Sequence, residues 1–198
     1  MGLWIVLALA GAIVLYLIVT YNGLVQLRVR ADNSWSDIDV QLKRRHDLIP
    51  NLVETVKGYA SHEKGTFENI AKFRSMAMQA TGPAERAQAE GQLTMALKSL
   101  FAVAENYPQL RASEQFTSLQ ASLNELEEAL QNSRRYYNAV VRDLNTKVAQ
   151  FPSNLIAGPF GIRPREFFGL SDASDAAAPG IARRRPPAPR RPVRRRVS

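Results

Sequence analysis

Cysteine is absent, which removes disulfides and thiolate metal sites and fits a reducing compartment. Histidine occurs only at His46 and His62, sixteen residues apart. Neither has a partner at i+4, and His62-Glu63 is followed by Thr66 instead of a second histidine, so the metalloprotease helix pattern fails. Both histidines are expected to be polar residues at the surface or at the end of a bundle. No phosphate-binding loop, glycine-rich dinucleotide turn or nucleophile elbow is present. Asp37/Asp39 and Glu127-Glu128 are paired carboxylates only in sequence, and without Glu-x-x-His repeats a di-metal bundle site is disfavoured. Catalytic residues, cofactors and metals are therefore not expected. Beyond the first apolar run, clusters of Val, Ile and Thr at period two are missing, while long helical patterns dominate; the class is all-α.

What is present begins at the amino end. Leu3 to Val19 is seventeen residues without a charge or an amide, and eleven of them are Leu, Ile or Val. As a helix the run is ~25 Å long, and ~33 Å if it continues through Tyr21 to Leu24, enough for a hydrocarbon core of about 30 Å. The eleven aliphatics favour the bilayer by about 3–6 kcal/mol on an insertion scale. Trp4, Tyr16 and Tyr21 lie towards the ends, where amphipathic rings prefer the interface. Ala8-Leu9-Ala10 resembles a signal-peptide cleavage site, but no Lys or Arg precedes the run and it continues nine residues past Ala10. An uncleaved anchor through residues 3–19 is expected. The flank before the run has no basic residue, whereas Arg28, Arg30, Lys43, Arg44 and Arg45 follow it. By the positive-inside rule the N-terminus is expected outside and the remainder in the cytoplasm.

The formal net charge of +8 is a property of the tail. Residues 183–196 hold Arg183, Arg184, Arg185, Arg190, Arg191, Arg194, Arg195 and Arg196 without an acid, and residues 1–182 carry eighteen basic and eighteen acidic side chains. The folded part thus has no global pull towards nucleic acid or lipid.

Domain boundaries follow the composition: an anchor over 1–23, a helical bundle over 24–170, and an Ala/Pro/Arg-rich tail over 171–198 expected to be disordered for want of apolar surface. Leu24, Leu27, Trp35, Ile38 and Leu42 share one helix face. Pro50 then costs ~3 kcal/mol inside a helix but suits the start of one, so a break is expected at Asp47 to Pro50, although Leu42, Ile49, Leu52, Val56 and Tyr59 stay in phase across it. The second helix is expected from Pro50 to Gln79, ended by Thr81-Gly82-Pro83; the third from Ala84 to Glu105, ended by Asn106-Tyr107-Pro108. The fourth has a coiled-coil-like seam: Phe116, Leu119, Leu123, Leu126, Leu130, Ser133, Tyr137, Val140 and Leu144, ended by Phe151-Pro152. Residues 152–170, with Phe160, Phe167 and Phe168, read as an irregular segment folding its aromatics back onto the bundle end.

Four pieces of the chain together resemble the LemA family of bacterial membrane proteins. They are the span followed by Tyr21-Asn22-Gly23-Leu24-Val25; Trp35 to Val53 with Val56-Lys57-Gly58-Tyr59 and His62-Glu63; Arg135-Tyr136-Tyr137-Asn138-Ala139 with Arg142 and Asn145; and Phe151-Pro152-Ser153-Asn154 followed by Phe167-Phe168. The resemblance covers the anchor to about Leu170. Leu144 stands where the family more often has an aromatic, and the Arg-Pro tail has no counterpart. The resemblance implies a single-pass membrane protein whose soluble part is an antiparallel up-and-down four-helix bundle, with a kinked three-helix version as the alternative. It implies no enzyme activity and no settled biochemical role.

Two polar groups stand out. Asp37, Gln41, Arg44 and Arg45 lie one turn apart on the first helix; Arg134, Arg135, Asn138, Arg142 and Asn145 recur likewise on the fourth, beside Tyr136 and Tyr137. Arginine with tyrosine at helical spacing suits a face for an unidentified protein partner, both being enriched at binding hot spots. Alternatively these arginines pair with Asp37, Asp39, Asp47 or Glu54 across the bundle and fix its register. The tail arginines are either simply solvated or contact anionic lipid headgroups, at about 1 kcal/mol each; they lack the interleaved aromatics of a single-strand nucleic-acid binder. The expected function is a non-enzymatic, membrane-anchored scaffold or adaptor at the bacterial plasma membrane, with an accessory subunit of an envelope protease or membrane-remodelling complex as the alternative. The oligomeric state is left open by the residues.

Overall fold

The computed structural model describes residues 1–169, and these are helices joined by short connections, followed by an irregular segment over 158–169. The disordered-tail expectation and the eight tail arginines lie outside the described residues. Six helices follow in order: α1 (Gly2–Lys57), α2 (Lys64–Gln79), α3 (Pro83–Glu105), the one-turn α4 (Pro108–Arg111), α5 (Glu114–Ala149) and the one-turn α6 (Asn154–Ala157).

Helix α1 is 56 residues long and has two environments. Its first eighteen residues, Gly2 to Val19, are exposed throughout, and they make α1 the one helix among the described residues long and apolar enough to cross a membrane. From Thr20 onward it supplies core residues: Leu24, Ala31, Ile38, Leu42, Ile49, Leu52 and Val56 are all buried. Pro50 lies inside this helix, so the expected break at Asp47 to Pro50 does not occur. The physical reason is visible one turn earlier. A proline at 50 cannot donate to the carbonyl of His46, and Arg74 of α2 donates its Nε to that oxygen at 2.8 Å. The ring faces solvent, and the orphaned acceptor has a new donor. The first helix ends at Lys57 instead, and the second begins at Lys64, not at Pro50.

Helix α3 starts from Gly82, whose φ of 77° a side chain would strain, with Pro83 in the first turn. Glu85 reaches back to accept from the backbone N and Oγ1 of Thr81, at 3.0 and 3.1 Å. Ser113 caps α5 by accepting from the Phe116 amide.

α1, α2, α3 and α5 form an up-down-up-down, antiparallel bundle, the architecture expected from the sequence. The membrane-distal core joins all four, through Ile49, Leu52, Phe67, Ile70, Leu93, Leu100, Phe116 and Leu123 among others. The membrane-proximal core is different: Leu24, Ala31 and Ile38 of α1 meet Leu130, Tyr137, Val141 and Leu144 of α5, and the gap is closed by Ile156, Ala157, Ile162 and Phe168. Leu144 is fully buried there. The segment after α5 thus acts as a third wall along the α1–α5 pair, reaching well beyond the bundle end.

Candidate interaction face

The α5 residues singled out by spacing cover an arc of about 100° between Arg134 and Arg135, given 3.6 residues per turn. The structure divides that arc into three uses. Its inner edge, Arg134, is half-buried. Its middle, Asn138 and Asn145, faces the returning C-terminal segment. Its outer edge, Arg135 and Arg142, is exposed, and Tyr136 is exposed further round the helix. On α1, Asp37 and Arg44 are exposed, Gln41 is half-buried, and Arg45 is buried. Among the described residues no ion pair joins Asp37, Gln41 or Arg44 to the α5 set. The exposed remainder of the two groups is therefore Asp37 and Arg44 on one helix, and Arg135, Tyr136 and Arg142 on the other.

Arg45 anchors a charged network inside the bundle. Its side chain is 2% exposed. Nη1 donates to Glu90 Oε2 at 2.7 Å, and Nη2 lies 2.7 Å from both Glu127 Oε1 and Thr94 Oγ1. The other Glu90 oxygen is 2.7 Å from His46 Nε2. Arg45 Nε is buried without a hydrogen-bond partner among the described residues. Arg134 is close enough to feel the same charges. Burial pushes its guanidinium pKa down; Glu127 and Glu90 oppose that shift, while Arg45 adds to it. Two arginines and two glutamates thus share one low-dielectric region, with His46 a buried member of it. His46 is not at the surface or at the bundle end, as its isolation in the sequence had suggested; it sits mid-helix because Glu90 and the α2 arginine hold both its ring and its carbonyl.

The second cluster is a backbone clamp. Asn138 accepts from the Phe168 amide at 2.9 Å and donates to the Phe168 carbonyl at 3.0 Å. Asn145 does the same to Arg165, at 2.8 and 2.9 Å. Tyr137 Oη donates to the Glu166 carbonyl at 2.9 Å. Burial raises the Tyr137 pKa, Arg165 opposes that rise, and Glu166 and Asp32 reinforce it. Asp32 binds Arg165 at 2.6 Å, so α1 grips the same segment from the other side. Phe168 enters an aromatic cage: Trp35 at 5.7 Å, with Tyr137 at 5.3 Å from Trp35, and the Arg134 guanidinium 4.7 Å over the Phe168 ring. Arg86 of α3 lies 5.5 Å over Trp35 and pairs with Asp39. Each amide side chain spends its donor and its acceptor on one residue of the strap, which fixes residues 165–168 in an extended register.

Tryptophan, paired asparagines seven residues apart and a Phe-Phe strap are now connected by geometry, and the LemA family's sequence profile matches residues 34–182. The chain belongs to the LemA family. The LemA match begins inside α1 and includes Trp35, Arg45, Glu90, Asn138, Asn145 and Phe168. Among curated LemA-like relatives, Magnetosome protein MamQ 2 of Paramagnetospirillum magneticum is 25% identical, the alignment covering 83% of this chain and 70% of that one. Magnetosome protein MamQ of Magnetospirillum gryphiswaldense is 24% identical over the same shares. Protein LemA of Metamycoplasma hominis is 26% identical over 69% of this chain and 63% of its own length.

Sequence reasoning missed Glu90, Thr94 and Glu127 as partners of Arg45. A signal existed. Stepping by three and four along α3 from Ala104 through Leu100, Leu97 and Leu93 lands on Glu90, and the same steps along α5 from Leu123 land on Glu127 and Arg134. A charge at a core position of an apolar stripe points to a buried pair. The acids proposed for cross-bundle pairing were Asp37, Asp39, Asp47 and Glu54; of these Asp39 pairs across helices, with Arg86.

Proposed function

We propose that this LemA-family chain is a non-enzymatic, membrane-tethered scaffold or adaptor, with its N-terminus outside and its bundle on the cytoplasmic face of the bacterial plasma membrane. The observation that carries this reading is the continuity of α1: one helix runs from an exposed apolar stretch into the bundle core without interruption. A hinge between span and bundle would let the bundle tumble. A continuous helix holds the bundle at a set height above the bilayer, which is what a docking platform needs. The family assignment and the names of the relatives carry no enzymatic activity. The exposed Arg135, Tyr136 and Arg142, outside the strap clamp, are the residues proposed to meet a protein partner, with Asp37 and Arg44 on α1. The tail arginines, Arg183 to Arg196, are proposed to contact anionic headgroups.

The test has two arms. Membranes washed with alkaline carbonate should retain the full chain, and a phosphatase fused after Ser171 should stay inactive. Recovery of the chain in the supernatant would remove the tether; an active periplasmic phosphatase would reverse the sidedness. Photo-crosslinking from Tyr136 in native membranes should trap one protein reproducibly, and a smear indistinguishable from that at an exposed distal position such as Ser118 would remove the scaffold reading.

A further inference from the structure

The end of the bundle nearest the span carries apolar side chains that the fold does not bury. Phe151, Leu155 and Phe160 are 74%, 65% and 59% exposed, and all three lie in the turn from α5 through α6. The neighbours Ile156, Ala157 and Ile162 of the same turn are buried against α1 and α5, so the turn is firmly seated and still presents a second, outward apolar surface. Its position is fixed by Phe160, whose ring is 4.7 Å from that of Tyr21. Tyr21 closes the apolar run of α1, and a span of about 20 residues from the helix start ends at that depth. Thr20, one residue further in, is buried, so protein packing reaches the last turn of the span.

We infer that the α6 turn is a second membrane contact: Phe151, Leu155 and Phe160 insert into the interfacial layer of the bilayer that α1 crosses, on the bundle side. The inference rests on α1 spanning that bilayer. Charge agrees with the assignment. Residues 1–31 and 144–165 contain no Asp or Glu, while Arg28, Arg30, Lys147 and Arg163 of those stretches are exposed. An apolar tip flanked in sequence by exposed cations, with the first carboxylates only at Asp32, Asp143 and Glu166, suits an anionic headgroup layer over an acyl boundary. Phe160 packed at a tilt against Tyr21 belongs to the depth at which aromatic side chains settle. The turn would thus set the tilt of the bundle, because a single helix through a bilayer leaves rotation and tilt free, whereas a second contact beside it does not.

The chain has no cysteine, so single-cysteine variants report cleanly. The full-length protein is reconstituted in vesicles of phosphatidylethanolamine and phosphatidylglycerol, with a nitroxide on Leu155→Cys, Phe151→Cys, Ile13→Cys or Ser118→Cys. Collision with dissolved oxygen and with a water-soluble nickel chelate then measures depth. The Leu155→Cys and Phe151→Cys labels should favour oxygen several-fold over the Ser118→Cys label, and less than the Ile13→Cys label. If they match Ser118→Cys while Ile13→Cys stays deep, the second contact is refuted and the tether stands. If Ile13→Cys is itself open to nickel, the tether falls and this contact with it. Leu155 is largely exposed, and unchanged circular dichroism of that variant excludes misfolding as the cause.

Discussion

Removing Glu90 is the sharpest test of how this bundle is held together. In Glu90→Ala, Arg45 keeps its charge at a site that is nearly sealed, and retains only Glu127, whose side chain is 31% exposed, and Thr94. His46 loses the carboxylate at its Nε2. Breaking one side of a buried pair costs about 3–5 kcal/mol, because the partner's desolvation is no longer offset. At ~2–4 °C per kcal/mol for a domain of this size, the melting temperature should fall by about 6–20 °C. Thermal melting of the detergent-solubilised chain by far-ultraviolet circular dichroism reads this directly. The companion variant Arg45→Met/Glu90→Leu removes both charges. It should recover at least ~1–3 kcal/mol of the loss, since apolar replacement of a whole buried pair is often near neutral and contacting residues couple by that much. Glu127 can turn to solvent; His46 stays short of one partner, which limits the recovery by about 1 kcal/mol. A Glu90→Ala loss below about 1 kcal/mol, the range of solvated pairs, would refute the sealed network.

Arg74→Ala leaves the His46 carbonyl without a donor and should cost about 1–3 kcal/mol by chemical denaturation; in a Pro50→Ala background, where residue 50 can donate again, the same change should cost clearly less, and equal losses would dismiss the rescue of the proline. Tyr137→Phe removes the bond to Glu166 and should cost about 0.5–1.5 kcal/mol at neutral pH. Because the folded chain raises the Tyr137 pKa above its ordinary 10.0, its contribution is complete below about pH 10 and falls as the pH climbs towards the folded value. The alkaline limb of a stability profile should therefore be shallower in the phenylalanine variant than in the parent. Arg135→Ala and Arg142→Ala, both at exposed positions, should shift stability by no more than about 0.5 kcal/mol while altering the crosslinks formed in membranes; a collapse in melting temperature would make them structural.

The sequence displays the fold more openly than the contacts. Helix ends at Gly82-Pro83, Asn106-Tyr107-Pro108 and Phe151-Pro152 are local chemistry, and α3 and α5 end where that chemistry says. Pro50 is the exception because its rescue is tertiary: the donor comes from residue 74, on another helix, and nothing in residues 46–54 reveals it. The seam of α5 was readable in phase but not in use. Leu119, Leu126 and Ser133 are only half-buried, while Val141 is fully buried, since α1 and the strap approach from one side. Asn138 and Asn145 were visible as a repeating polar pair. Their partner is the backbone of residues 165 and 168, and backbone leaves no residue-type signature that a spacing argument could match.

The charged network also bears on axial register. The α1 stripe of Ile38, Leu42, Arg45, Ile49, Leu52 and Val56 and the α5 stripe of Leu123, Glu127, Leu130, Arg134 and Tyr137 repeat every seven residues. A slip of one heptad would still set aliphatic against aliphatic, so apolar packing alone discriminates weakly between registers. It would carry Arg45 by about 10 Å along the bundle, away from Glu90 and Glu127 and level with Gln120 or the like-charged Arg134 on α5. One buried ion network therefore penalises every shifted alignment even if it adds little to the stability of the native one. The strap repeats the device closer to the membrane, where Asn138 and Asn145, again seven residues apart, accept only the backbone of residues 168 and 165. With α1 fixed against α5 at both levels, the height of the bundle above the span is determined by residues far from the lipid.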